Sequence, residues 1–193
     1  MELQFENGKT YQKENYTETP LPKGEYEQCI FTECDFSNAD LSEIIFWECE
    51  FIRCNLSLVK VDKTGLRDTR FRECKMLGIP FYKCSEFGFS VGFNGCTLDN
   101  SSFVRLKMQK SIFEKCRLRE CDFSGTELAG AVFDQCDLLE ATFDHTNLEK
   151  ADLTTSFNYT IDPEENRIKK AKFGLSGLPG LLSRYDIRVD REN

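Results

Sequence analysis

Histidine and tryptophan occur once each in these 193 residues, as His145 and Trp47. There is no H-E-x-x-H, no G-x-S-x-G and no glycine-rich phosphate loop, so the usual zinc-protease, hydrolase and nucleotide-binding readings have no residues to rest on. No C-x-x-C occurs, and one histidine gives little to complete a zinc site; no metal and no cofactor is expected. No charge-free apolar run of about 18 residues exists, which excludes a transmembrane helix. The N-terminus has no basic start followed by an apolar core, so no signal peptide is expected, and the expectation is a cytoplasmic protein without a membrane partner. Lysine and arginine are wholly missing from residues 24–52.

What is present is a period of five. From Ser111 to Leu153 every fifth residue is Phe or Leu: Phe113, Leu118, Phe123, Leu128, Phe133, Leu138, Phe143, Leu148 and Leu153. Two places before each stands a small residue, such as Cys116, Thr126 or Ala131. Five is neither the 3.6 of a helix nor the 2 of a strand, so a repeat architecture is indicated. The same pattern begins clearly at Tyr26 and holds to Phe81. It then slips, because 12 residues separate Phe81 from Phe93 where two fives need ten. The excess falls in the stretch about 82–92, with Phe87 and Phe89 inside it, and implies a loop or a bend. Of the 17 Phe, 12 stand at central positions, which argues for a packed core and against disorder. All ten cysteines occupy the small-residue place, so they read as small buried hydrophobes and not as a disulfide framework.

Residues 1–15 are polar apart from Phe5 and Tyr11 and read as a loosely docked N-terminal segment. Residues 16–159 carry the fives. Residues 160–193 read as a C-terminal cap, with an edge strand over Lys169–Phe173 and a short helix beginning near Ser176 and Pro179. Leu178, Leu181, Leu182 and Tyr185 give that helix an apolar face, more than a one-turn cap requires, and are the candidate homodimer interface. Tyr185–Val189 alternates like a strand.

The fives CDFSN, NADLS, CDFSG and KADLT closely match the consensus of the pentapeptide-repeat family, which this chain resembles over roughly Tyr16 to Leu153. The resemblance implies an all-β, right-handed quadrilateral β-helix, one five per side and 20 residues per coil, with a small helical cap. Such a coil cannot bury its inward ring alone, but stacked coils bury a continuous column. The fives amount to a little over six coils, a rod of about 30 Å at strand spacing. Stacking at 20 places Cys34, Cys54 and Cys74 in one column and Cys96, Cys116 and Cys136 in another, as free thiols in a reducing compartment. A convex rod filled with Phe offers no cavity for acid–base work, so a non-enzymatic protein is expected, with His145 on an exposed corner.

The net charge of −8 is arranged in blocks. Residues 24–52 hold eight acids and no base; residues 53–119 hold 14 bases against six acids; residues 120–153 hold nine acids against Lys150 alone. On a rod these become acidic, basic and acidic bands that steer partners. The stretches Leu106–Phe113 and Ile161–Ile168 are similar to the gyrase-protecting group of the family, of Qnr, MfpA and McbG type. That likeness implies a DNA mimic acting on a type II topoisomerase, DNA gyrase or topoisomerase IV, against quinolones or a peptide toxin. Asp134, Asp137, Glu140, Asp144 and Asp152 are then the acidic contact surface. The alternatives are an interaction scaffold using the banded surface or the register break, and direct nucleic-acid binding through Arg67, Arg70, Arg72, Arg105, Arg117 and Arg119, the least favoured.

Overall fold

Each five makes one short extended side and one corner. The central residue and the small residue two places before it point inward, and both are buried along the length of the chain. The corner falls two places after the central residue, where the backbone turns left-handed, as at Glu33 (φ 56°), Lys110 (φ 61°) and Glu140 (φ 58°). Such a conformation costs a non-glycine residue on the order of 1 kcal/mol. The stacked coil offsets this cost: the Glu33 N–H donates to the Ile52 carbonyl at 2.9 Å and the Lys110 N–H to the Ala129 carbonyl at 3.0 Å. Glycine at Gly125 and Gly130 takes the same corner (φ 65° and 68°) without strain.

The computed structural model describes residues 4–185 and 187. Its strands are β1 (Gln4–Asn7), β2 (Thr10–Gln12), β3 (Gly24–Glu27), β4 (Ile30–Thr32), β5 (Ile45–Trp47), β6 (Glu50–Ile52) and β7 (Gly65–Arg67). They continue with β8 (Thr69–Arg72), β9 (Val91–Asn94), β10 (Ile112–Glu114), β11 (Val132–Asp134), β12 (Asp152–Leu153) and β13 (Lys172–Phe173). The strands form an all-parallel β-solenoid with four faces and about eight turns. The first face is one nine-stranded ladder, β2-β4-β6-β8-β9-β10-β11-β12-β13. The second face is joined by single bridges running from Asn15 through Arg117 and Asp137 to Phe157, and the third by bridges such as Ser102–Asp122–Thr142. The fourth carries β1-β3-β5-β7 and resumes above the register break as Lys107–Glu127–Asn147–Arg167. Nine rungs at strand spacing give a rod of about 38 Å, longer than the fives alone indicated.

The inward rings stack coil on coil. On the first face, centroids of Phe31–Phe51, Phe51–Phe71, Phe71–Phe93 and Phe113–Phe133 lie 4.8, 5.1, 5.4 and 4.8 Å apart. On the third face Phe103–Phe123 stack at 5.0 Å, and the two stacks meet edge to face, Phe113 against Phe123 at 88°. Offset-stacked and edge-to-face rings are the geometries the ring quadrupole favours. The small residues do more than make room. The Thr126 hydroxyl donates to the Phe103 carbonyl at 2.8 Å, Thr146 to Phe123 at 2.8 Å, and the Cys121 thiol to Leu98 at 3.1 Å. Cys, Thr and Ser are therefore interchangeable donors to the coil below, a role that Asn166 also fills toward the Phe143 carbonyl at 2.9 Å.

Three further expectations change. Residues 4–12 are not a loose tail but the first turn, since β1 pairs with β3 and β2 with β4; Glu6 takes the central place below Tyr26 and hides the pattern. Residues 160–173 complete a further turn in place of a cap, because Asn147 bridges Arg167 and β12 pairs with β13, which falls within the edge strand expected over Lys169–Phe173. Of the loop or bend expected at the register break, the loop is found: the two-residue excess leaves the fourth face and Phe93 stays registered on Phe71. The two cysteine columns are consequently one, Cys96 following Cys74, each donating to the carbonyl of the first-face Phe beneath (Cys74 to Phe51, Cys96 to Phe71). The cap itself is a 3₁₀ turn (Leu175–Gly177), α1 (Leu178–Leu182) and a second 3₁₀ turn (Ser183–Tyr185). It lies on Tyr159, where a Cβ at Gly177 would overlap the phenol oxygen and one at Gly180 the main-chain carbonyl. The strand expected over Tyr185–Val189 lies largely outside the described residues. No helix among the described residues is long and apolar enough to cross a membrane.

Candidate partner-binding surface

The ladder decides where each expected acid stands. Asp134 and Asp152 lie on the first face, Asp137 and Glu140 on the second, and Asp144 on the third, so the set wraps three adjacent faces. Asp137 is only 7% exposed and accepts hydrogen bonds from Arg119 Nε at 2.7 Å and Asn158 Nδ2 at 2.8 Å. Burial works against its ionisation, but the Asn158 amide, the Arg119 guanidinium and the Leu139 N–H outweigh it and hold the carboxyl below the usual range. Asp137 is thus a structural acid. Asp152 accepts from the Thr154 hydroxyl and N–H and from Lys172 Nζ at 3.0 Å, in that order of influence, and is likewise held low. Asp134 accepts from Thr155 Oγ1 at 2.7 Å.

Glu140 and Asp144 remain exposed. Glu120 stands one rung below Glu140 on the same corner and meets only the Asn100 amide, at 2.9 Å. Asp122, on the third face below the five that carries Asp144, bonds only Ser124. Glu165 lies beside His145, its Oε2 3.8 Å from His145 Nε2. Glu120, Asp122, Glu140, Asp144 and Glu165, none with a Lys or Arg partner among the described residues, therefore border the third face: Glu120 and Glu140 at its corner with the second, Asp122 on it, and Asp144 and Glu165 beside His145 at its corner with the fourth. Glu165 was hidden from sequence reasoning because its residues read as cap. Asp144 bonds His145 Nδ1 at 2.7 Å, and first that bond, then the charges of Asp144 and Glu165, raise the histidine pKa. Asp144, His145 and Glu165 bring ligand atoms within 4.8 Å of one another, all exposed, and are the residues that can hold a metal ion.

The bases do not make one surface. Arg72 pairs with Glu50, Arg117 with Asp99 and Arg119 with Asp137, while Arg67 stacks on Phe87. Only Arg70 and Arg105 of the six are left without a charged or aromatic partner among the described residues, on different faces. Of the residues assigned to a dimer interface, Leu181 packs on its own core, Leu182 is half-buried, Leu178 is exposed, and the Tyr185 hydroxyl donates to Glu164 at 2.7 Å.

A parallel solenoid with its interior filled by rings has only its outer skin to work with. The chain belongs to the pentapeptide-repeat family: the family's pentapeptide repeat region matches residues 25–103 and 85–173. Among solved structures it is similar to full-length QnrB1, a plasmid-mediated fluoroquinolone resistance protein, at 18% identity over 95% of this chain and 100% of that one, TM-score 0.43. A trypsin-treated QnrB1 variant is 24% identical, over 97% and 98%, TM-score 0.46. HetL, a pentapeptide repeat protein involved in heterocyst differentiation regulation from Nostoc sp. strain PCC 7120, is 15% identical over 89% and 84%, TM-score 0.26. These likenesses concern the fold. No curated protein sequence matches this chain.

Proposed function

We propose that the chain is a non-enzymatic DNA mimic that occupies the DNA-binding surface of a type II topoisomerase, DNA gyrase or topoisomerase IV, and protects the enzyme from quinolones or a peptide toxin. The observation that carries this reading is the group of acids bordering the third face, Glu120, Asp122, Glu140, Asp144 and Glu165, without Lys or Arg partners among the described residues. A protein surface built to neutralise phosphates is equally complementary to carboxylates set along a rod. The exposed Leu175 and Leu178 at the cap end support pairing with a second copy, which would set two acidic faces about a dyad. Purified protein is expected to inhibit DNA supercoiling by gyrase at high concentration, or to restore it in the presence of a quinolone. The E120Q/D122N/E140Q/D144N variant, altered only at positions outside the core, is expected to lose the effect. Absence of binding and of any effect on gyrase at excess protein removes the reading.

A further inference from the structure

The N-terminal coils carry a second surface, on the fourth face where β1, β3, β5 and β7 lie. β5 sends Phe46 into the core and Ile45 and Trp47 outward. Register sets Trp47 between Glu27 and Arg67, and Ile45 between Glu25 and Gly65. Gly65 has no side chain to cover Ile45. Beyond β7 the looped-out excess holds Phe87 clear of the coil, with the Arg67 guanidinium carbon 4.9 Å from its ring centroid. Trp47 is 45% exposed and Phe87 75% exposed. The result is a continuous strip, Ile45, Trp47, the Arg67 stem and Phe87, of a kind a monomer seldom leaves in water without use.

The strip is framed by Glu25, Glu27, Glu43, Glu48 and Glu86, and among the described residues none of them has a cationic partner. Glu48 meets only the Gln28 amide, at 2.9 Å. Beside it, at the corner with the first face, an open groove of about 450 Å³ is lined by Ile30, Glu48, Glu50 and Asp68, with Arg70 also on its wall. Carboxylates left unpaired around exposed aromatics complement one chemistry. We infer that this surface docks a basic amphipathic segment of a partner protein, whose apolar side chains cover Ile45, Trp47 and Phe87 while its Lys or Arg reach the glutamate rim. A nucleic acid could stack its bases here, but its phosphates would face that rim with Arg67 and Arg70 as the nearby cations.

Trp47 is the only tryptophan, so its fluorescence reports on the strip directly. The full chain is titrated with a short helical peptide carrying leucine on one face and lysine on the other, and with the same peptide bearing glutamate for lysine. The expected result is a saturable blue shift of Trp47 with protection from acrylamide, given by the lysine peptide alone. E25Q/E27Q/E48Q is expected to weaken binding about tenfold, and Phe87→Ala to weaken it as well. Glu25, Glu48 and Phe87 are exposed and Glu27 is half-buried, none of them in the core, and an unchanged melting temperature verifies that the variants fold. The E120Q/D122N/E140Q/D144N variant keeps the response, so this surface stands or falls apart from the topoisomerase reading. Equal response to both peptides, no saturable response, or full affinity in E25Q/E27Q/E48Q overturns the inference. So does a shift produced by a single-stranded oligonucleotide in place of the lysine peptide, or one that follows protein concentration alone and assigns the strip to a second copy.

Discussion

Asp137 shows how one residue can look like surface and act as structure. It stands in the consensus place for a solvated acid, yet Arg119 from the turn below and Asn158 from the turn above close over it. Its pKa is lowered in the folded state, so its contribution is present above the unfolded value near 3.9 and is lost as pH falls through the folded pKa. Asp137→Ala is expected to cost about 1–3 kcal/mol at neutral pH, a fall of several degrees in melting temperature. The gap between variant and wild type should narrow in melts taken below about pH 4. A gap that stays constant from pH 7 to pH 2 would mean that the carboxylate charge plays no part.

At the scale of elements, the cap is set by two close approaches. Gly177 and Gly180 let α1 and the turn before it lie directly on Tyr159, and the Ile161 N–H donates to the Gly180 carbonyl at 3.1 Å. Gly180→Ala should lift the cap, exposing Tyr159 and Leu181; limited proteolysis is expected to cut near residue 174 while the coil stays intact. Unaltered resistance to cleavage would show that the cap is held from elsewhere. The fives themselves were legible in the sequence, since Phe and Leu recur wherever an inward ring is needed. The two end turns were not, because Glu6 and Asn166 sit where the pattern wants an apolar or small residue and are accommodated by Lys9 and by main-chain carbonyls. The acids around the third face were legible only as a count of charges. Which acids stay unpaired depends on ion pairs 18 to 22 residues apart, such as Arg119–Asp137 and Arg72–Glu50, that only the closed coil brings together.

For the whole molecule, the ten thiols report on whether the rod opens. All are buried and free, and burial pushes Cys49, Cys84 and Cys121 up to about 12. Thiol reagents at pH 8 should label none in the native protein and ten in denaturant, with reactivity appearing as one cooperative step or turn by turn from an end. Rapid labelling of several thiols under native conditions would show that the ring column breathes.

The looped-out excess at residues 84–90 has a geometric outcome for both surfaces. Because Phe93 still lies over Phe71, the heading of Trp47 relative to Glu140 around the long axis is fixed by arithmetic modulo 20. An insertion of one whole coil would move the two apart by about 4.8 Å and leave their bearing unchanged. An insertion of a single five would swing one a quarter-turn from the other, so that no rigid partner could touch both as before. Chain length in this protein therefore acts as a compass setting for what can be gripped at the same time.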